Sequence, residues 1–365
     1  MRNQAIIAVG LLLVSCGSGK RSEGSPTTDA AATPAAALAA RLDSVARSGH
    51  FYFGHHDDTA YGVEWKYEDG RSDVRDVTGE YPGLMNWDLG LIELDSARNL
   101  DKVPFSFIAG EIRKQDARGG VNAISWHPRN VMTGGDSWDT TGSPLHELAG
   151  NREMADSLDT WITRAARFIG DLRNEEGERI PVVFRPWHEN NGTWFWWGSA
   201  NATPEEYIDL WKRTRRIFDR EGIDNVVWAY SPDRVDSKEK FLLTYPGDDY
   251  VDLIGSDIYH FNGEEGREEF EKQVRSQLAV VEAEAKARGK LMAFTESGLE
   301  GVTITDWYTN VLLPAVSEFP VAYVCVWRNA NKEEKSGHYY VPYKGHPAEE
   351  DFKAFHANGK AIFVK

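Results

Sequence analysis

The chain has 365 residues, which is enough for one large barrel or two average domains with a sizeable buried core. It carries 57 acidic and 41 basic residues, and its formal net charge of −16 argues against a nucleic-acid backbone as a partner. Its 13 tryptophans exceed what a core of this size requires, so we expect some of them to face a ligand.

The N-terminal segment has the pattern of an export signal. An apolar run from Ile6 to Val14 follows a basic residue and is too short to span a bilayer as a mature helix. The sequence Leu-Val-Ser-Cys that ends at Cys16 resembles a bacterial lipobox, in which the cysteine is lipidated and becomes the first residue. We therefore expect a signal peptide over residues 1–15 and a lipid anchor on Cys16, with ordinary signal cleavage as the alternative.

A tether and one folded domain follow. Residues 17 to about 34 are rich in Gly, Ser, Thr, Ala and Pro, which predicts a flexible linker over 16–35 and a catalytic domain over 36–365. No acidic run follows Cys16, so we expect a domain that faces the periplasm rather than the cell surface. After cleavage Cys325 is the only thiol, which excludes an intramolecular disulfide, and its apolar surroundings predict a buried small hydrophobic residue.

Eight short apolar runs predict the strands of a parallel sheet. Most are continuous rather than alternating, as expected for parallel strands covered on both faces. They alternate with amphipathic helices, so the fold class is α/β and the architecture a single (β/α)8 TIM barrel. The predicted strands are Phe51–Gly54, Gly83–Trp87, Val121–Trp126, Ile180–Phe184, Asn225–Tyr230, Val251–Gly255, Leu291–Thr295 and Val321–Trp327.

The helices between these strands carry boundary signals. Thr203 opens a capping box with proline at the first helical position, and an apolar stripe follows at helical spacing. Similar stripes begin at Met154 and at Phe270, and the second ends near Gly289 as a C-cap. We expect all three stripes to be core. Between positions 88 and 120 the pattern separates helix from loop poorly.

Polar residues just past the predicted strands should surround one end of the barrel, where barrel enzymes place their chemistry. Glu189 follows the fourth strand and Glu296 follows the seventh, nearly opposite each other. Glycoside hydrolysis needs one protonated carboxylic acid and one ionised carboxylate, and aromatic rings suit the apolar faces of sugars. Two such glutamates beside clustered tryptophans therefore indicate a site that cleaves sugar polymers. The other candidates at this rim are Trp126, His127, Arg185, Trp187, His188, Asp233, Asp257, Tyr259, Trp327 and Arg328.

The surroundings of the two glutamates suggest their roles. Glu189 is followed closely by aromatic residues such as Trp194, and apolar neighbours should raise its pKa, which suits a general acid that later acts as base. Glu296 would be the nucleophile, held ionised by donors such as the Tyr259 hydroxyl or Arg185. We expect a separation of about 5–5.5 Å between the two carboxyl groups, as in retaining enzymes.

Two segments resemble the acid/base and nucleophile motifs of glycoside hydrolase family 26, namely Arg185–Gly198 and Phe294–Gly298. Its characterised members are mostly β-mannanases in a clan of (β/α)8 retaining hydrolases, and the resemblance covers about residues 45–360. It implies an endo-β-1,4-mannanase that hydrolyses mannan, glucomannan or galactomannan through a covalent glycosyl-enzyme intermediate, without a cofactor. Supporting matches are Gly255–Tyr259, Trp126–His127 and Val326–Arg328.

The resemblance also implies individual roles. Glu189 is the acid/base and Glu296 the nucleophile, and His188 stands where many relatives in the clan carry asparagine, a substitution typical of family 26. Tyr259 resembles the tyrosine that hydrogen-bonds the nucleophile, and Trp327 the aromatic platform under the sugar at the reaction centre. The remaining implied substrate contacts are His127, Arg185, Trp194 and Arg328.

Other interpretations remain open at this point. The same machinery would serve β-glucan or β-1,3-xylan, because specificity depends on loops. A non-catalytic sugar-binding lipoprotein would usually lose one carboxylate, and both are present. We expect a monomer whose partners are a polysaccharide and, through its lipid, a membrane, with no nucleic acid.

The sequence also raises the possibility of a metal site and of outer sugar-binding subsites. His55 and His56 are adjacent on a strand and should point to opposite faces, so no metal is predicted. Trp65, Trp87 and Trp138 are assigned either to outer subsites or to packing.

Overall fold

Eight parallel strands form a closed barrel. The computed structural model describes residues 32–365, so the predicted signal peptide and Cys16 lie outside the described residues. Each barrel strand pairs with the next along the chain, and the eighth pairs with the first, which confirms the predicted (β/α)8 barrel. The strands are β1 Phe51–His56, β2 Leu84–Asp88, β3 Val121–Trp126, β4 Val182–Pro186, β5 Val226–Tyr230, β6 Leu253–His260, β7 Leu291–Leu299 and β8 Tyr323–Val326.

The strand ends differ from the predicted ones in two instructive places. β4 begins at Val182 because Pro181 has no N–H to donate to a neighbouring strand. β7 continues to Leu299, so Glu296 lies inside this strand rather than past its end. The pairing register of β7 with β6 shifts between Phe294 and Glu296, as at a β-bulge. A bulge changes the direction in which side chains point, so the backbone near Glu296 can remain paired while this side chain lies at the mouth of the barrel.

The helices follow the boundary signals in the sequence. The capping box at Thr203 is formed: its hydroxyl accepts from the Glu206 N–H at 3.3 Å, and the Glu206 carboxylate accepts from the Thr203 N–H at 2.9 Å. Gly289 is a left-handed C-cap. Among residues 32–365, no helix is long and apolar enough to cross a membrane. The α-helices are α1 Pro34–Arg47, α2 Asp73–Thr78, α3 Phe105–Ala117, α4 Pro144–Glu147, α5 Arg152–Gly170, α6 Pro204–Arg220, α7 Lys238–Leu242, α8 Arg267–Arg288, α9 Leu313–Val316 and α10 Glu349–Ala357.

Helix α1 covers the N-terminal end of the barrel. Leu38 and Leu42 pack against inward-facing strand residues, and buried Cys325 belongs to the same cluster. Arg41 donates to the carbonyl of Gly120, which directly precedes β3. One end of the barrel is thereby closed by packing, and the opposite end is where the strands deliver their polar residues.

The last strand of the chain was not predicted. Ala361–Val364 pairs in parallel with the start of β1 and antiparallel with the short strand Tyr81–Pro82. The Phe363 ring stacks on Phe53 with centroids 5.1 Å apart, which ties the C-terminus to the outer core. Four apolar residues are too few for periodicity to separate a strand from other buried structure.

Candidate active site

Both glutamates line one open cleft of about 360 Å³ at the C-terminal end of the barrel. Glu189 comes from the turn after β4, and Glu296 comes from the outer half of β7. A larger groove of about 650 Å³ lies at the other end, beside α1 and α8, but neither glutamate lines it. The other residues that line the cleft are His127, Trp138, His188, Trp194, Phe195, Asp233, Arg234, Tyr259, Phe261 and Trp327.

Glu296 is held by two donors that the sequence had suggested. The Tyr259 hydroxyl donates to Oε1 at 2.8 Å, and the Arg185 guanidinium donates to Oε2. Arg185 also donates to Asp257 Oδ2 at 2.6 Å, while the Thr295 hydroxyl donates to the other Asp257 oxygen at 2.6 Å. Charge-assisted bonds of this kind fix the orientation of a carboxylate. Both oxygens of Glu296 are therefore anchored at the floor of the cleft.

Arg185 remains charged in this setting. Burial disfavours its positive charge, but the carboxylates of Asp257 and Glu296 raise the pKa of Arg185 above its ordinary value. Its side chain is 3% exposed, so these contacts are largely free of solvent screening.

Glu189 lies in a different environment from its partner. Burial raises the pKa of Glu189 well above its ordinary value, and the negative charges of Glu296 and Asp257 act in the same direction. Its Oε2 accepts a hydrogen bond from the Trp194 indole at 2.8 Å, and its backbone N–H donates to the Ser231 carbonyl at 2.9 Å. Glu189 is thus favoured in the protonated form, the state that a general acid requires.

The turn that carries Glu189 is conformationally unusual. Trp187 and Glu189 both have φ of 52°, a region that non-glycine residues seldom adopt. Trp187, Trp196 and Trp197 are fully buried, and the Trp197 indole donates to the His188 carbonyl at 2.9 Å. Most of the tryptophans in this motif therefore hold the turn in place rather than face a ligand.

Two histidines with opposite tendencies stand beside the glutamates. Burial opposes a charge on His127, but Asp88, whose Oδ2 lies 2.6 Å from Nδ1, raises the pKa of His127 above its ordinary value. Burial lowers the pKa of His188 well below its ordinary value, so this ring is neutral. The two rings meet edge to face with centroids 4.6 Å apart. Asp88 was missed because the second predicted strand was not followed past Trp87; the same strand-end rule applied there would have found it.

Arg328 belongs to a polar cluster that the sequence did not reveal. Its guanidinium lies 3.0 Å from Asp101 and donates to the Tyr61 hydroxyl at 3.1 Å. Ligand atoms of His56, Asp57 and Asp101 lie within 4.8 Å of one another, close enough for a shared metal ion. Arg328, however, already brings a permanent positive charge to these carboxylates.

Solvent exposure distinguishes the aromatic rings that can contact a ligand from those that pack in the core. Trp65 and Trp87 are buried, whereas Trp138 is 49% exposed and stacks beside His127 with centroids 5.4 Å apart. Trp327 is half-buried and lies over His56 with centroids 4.3 Å apart. Phe261, which the sequence reasoning missed, is 59% exposed and lines the cleft one residue after β6.

Comparisons with known proteins point in one direction. The model of glycosyl hydrolase family 26 matches residues 30–299. A GH26 β-mannanase from Bacteroides ovatus is 45% identical with a TM-score of 0.87, covering 91% of this chain and 95% of that one. An endo-β-1,4-mannanase from Cellulomonas fimi is 35% identical with a TM-score of 0.78, covering 91% and 77% respectively. A curated mannan endo-1,4-beta-mannosidase from Bifidobacterium adolescentis is 30% identical over 336 residues, which is 87% of this chain and 33% of that protein. The chain thus matches about a third of the length of this curated relative.

Removing the central guanidinium should destabilise the fold. Arg185→Met would leave the carboxylates of Asp257 and Glu296 buried without their counter-ion, and we expect the free energy of unfolding to fall by about 3–5 kcal/mol. Urea denaturation at neutral pH measures it. Arg152→Met is the control, because that side chain is 94% exposed and its loss should cost less than about 1 kcal/mol. Equal losses in the two variants would contradict a structural role for the buried pair.

Proposed function

We propose that this chain, which belongs to glycosyl hydrolase family 26, is a retaining endo-β-1,4-mannanase acting on mannan, glucomannan or galactomannan. The observation that carries the proposal is the unequal pair of glutamates in one cleft, with Glu189 favoured as the acid and Glu296 anchored by two donors. The substrate class is supported by the mannanases among its relatives.

In the first step of the proposed reaction, the carboxylate of Glu296 attacks the anomeric carbon and the glycosidic C–O bond breaks. Glu189 gives its proton to the leaving-group oxygen, and a glycosyl ester forms on Glu296. In the second step Glu189, now a carboxylate, takes a proton from water while that water attacks the anomeric carbon. The ester breaks, and the sugar leaves with its original configuration.

The residues around the pair would hold the sugar. Trp327 offers an aromatic face at the floor of the cleft, where the C–H face of a hexose can pack. His127, His188 and Trp194 line the same cleft and would contact the sugars on either side of the cleaved bond. Arg328 would bind a neighbouring sugar through its guanidinium.

We also propose that the mature protein is a monomer attached to a membrane through a lipid on Cys16, with its barrel facing the periplasm. The support is the short apolar run and the lipobox-like sequence before Cys16, together with the tether composition that follows.

The two glutamates are tested by separate substitutions. Glu296→Gln and Glu189→Gln should each lower the release of reducing sugar from mannan by at least about 10²- to 10⁴-fold. On an aryl mannoside whose leaving group needs no proton, Glu189→Gln should keep ester formation and Glu296→Gln should not, because only the nucleophile is then essential. Glu205→Gln, an exposed position on α6, is the matched control. Wild-type turnover in either active-site variant would refute the assigned pair. Hydrolysis of mannan, β-glucan and β-1,3-xylan by the wild type, compared in parallel, tests the substrate.

The pH profile should respond to the indole that contacts the acid. The hydrogen bond from Trp194 to Glu189 stabilises the ionised carboxylate more than the protonated one, so Trp194→Phe should raise the pKa of Glu189 further. Since the first step needs protonated Glu189, the alkaline limb of the kcat/KM profile should move to higher pH. Trp138→Phe changes the same cleft but leaves this bond intact, and its limb should stay in place. An unmoved limb in Trp194→Phe would count against Glu189 as the acid.

The anchor is tested in the producing bacterium. Labelled palmitate should be incorporated into the full-length protein and lost in Cys16→Ala, since acylation requires this thiol. Labelling that persists in the variant, or is absent from the wild type, would reject the lipid anchor.

A further inference from the structure

The open cleft adjoins a second groove. Asp233 and Arg234, which follow β5, line the cleft and also an adjoining surface groove of about 470 Å³. Helix α8 forms the far wall of this groove with residues that include Lys272, Gln273 and Ser276. A sugar chain that occupies the cleft would reach this groove by extending past Arg234.

The groove lies on the side of the acid. Asn191, two residues after Glu189, donates its amide to the Asp233 carbonyl at 3.1 Å and accepts from the Asp233 N–H at 2.8 Å. The general acid must reach the leaving-group oxygen of the cleaved bond. The loop at Asp233, which is hydrogen-bonded to the turn that carries Glu189, therefore borders the leaving-group side of the cleft. Neither Arg328 nor Asp101 lines this groove.

The polar lining suits a neutral ligand rich in hydroxyl groups. Charges of both signs alternate along it, from Asp233 and Arg234 to Glu269 and Lys272, together with the amide of Gln273. Arg234 is held loosely, with its guanidinium 3.7 Å from Asp233 and 3.5 Å from the Gln273 oxygen, so its donors remain available. Such a mixture disfavours a polyanion and offers both donors and acceptors to the hydroxyl groups of a neutral ligand.

Phe261 supplies a large exposed apolar face in the cleft. Its ring lies beside Tyr259, with centroids 6.4 Å apart, and lines the cleft together with Arg234. Exposed aromatic rings are common, but one at the edge of a hydrolytic cleft can stack on a sugar.

We infer that Phe261, Arg234 and the adjoining groove form an extended subsite for the leaving-group part of a neutral β-linked hexose chain, beyond the sugar at the cleaved bond. This inference rests on the proposed function for the identity of the hexose. The ring of Phe261 packs on a sugar face, and Arg234 donates to hydroxyl groups of the sugar that follows.

The double variant Phe261→Ala/Arg234→Ala tests the subsite on two substrates. Linear β-1,4-mannohexaose reaches the groove, whereas an aryl β-mannobioside ends in its aryl group at the first leaving-group position. The ratio of kcat/KM for the hexaose to that for the aryl substrate should fall about tenfold, because only the hexaose loses contacts. Cleavage of the hexaose should also shift towards bonds that leave shorter leaving-group fragments, which chromatography of the products measures.

Matched controls separate this effect from general damage. Leu243→Ala removes an apolar side chain that is 60% exposed, and Arg275→Ala removes a partly exposed guanidinium on α8; neither side chain lines the cleft or the groove. Both should keep the wild-type ratio and product pattern. An unchanged ratio in the double variant, or an equal loss on both substrates, would overturn the inference.

An error in the proposed substrate would be detected with the wild-type enzyme, independently of the variants. A wild-type enzyme that leaves mannan intact but cuts another β-linked polymer would refute the mannanase, and the same ratio is then measured on oligosaccharides of that polymer. Activity of the wild type thus tests the proposed substrate, and the variants test whether the groove is a subsite.

Discussion

The paired contacts of Arg185 with Glu296 and Asp257 are the constraint on which the site depends. They join a side chain from β4 to side chains from the neighbouring strands β6 and β7 at the mouth of the barrel. Buried ion pairs tolerate their desolvation only when the geometry is good and the remaining lone pairs are bonded. Here the Tyr259 and Thr295 hydroxyls supply those bonds, so Glu296 is fixed in orientation before any substrate arrives.

The same network explains why the two glutamates differ. Glu189, Glu296, Asp233 and Asp257 bring four carboxyl groups to one mouth, and Arg185 contacts only two of them. Burial and the neighbouring negative charges raise the pKa of Glu189, which has no contact with Arg185, so its protonated form is favoured. The acid and the nucleophile are therefore distinguished by their counter-ions, because the residue type is the same.

Periodicity and strand-end reasoning reached the barrel, its eight strands and both glutamates, but not every residue at the rim. Asp101 was missed because the chain between β2 and α3 is irregular, with left-handed residues at Leu91 and Asp95 and a short 3-10 turn. No periodic pattern describes such a segment. The number of tryptophans did not show which of them contact a ligand, because that depends on whether each side chain is buried. The burial of those near Glu189 depends in turn on the local backbone, in which Trp187 has a positive φ.

The mouth of the barrel also carries a stability cost. Leu38 and Leu42 close the N-terminal end with apolar packing. At the C-terminal ends of the strands, some buried polar atoms make no hydrogen bond within the described protein, among them Nε2 of His56, Oδ1 of Asp57 and Nδ1 of His188. Such groups destabilise a fold unless something bonds to them. A ligand rich in hydroxyl groups would offset that cost in the complex, so binding energy at this end is available for orientation as well as affinity.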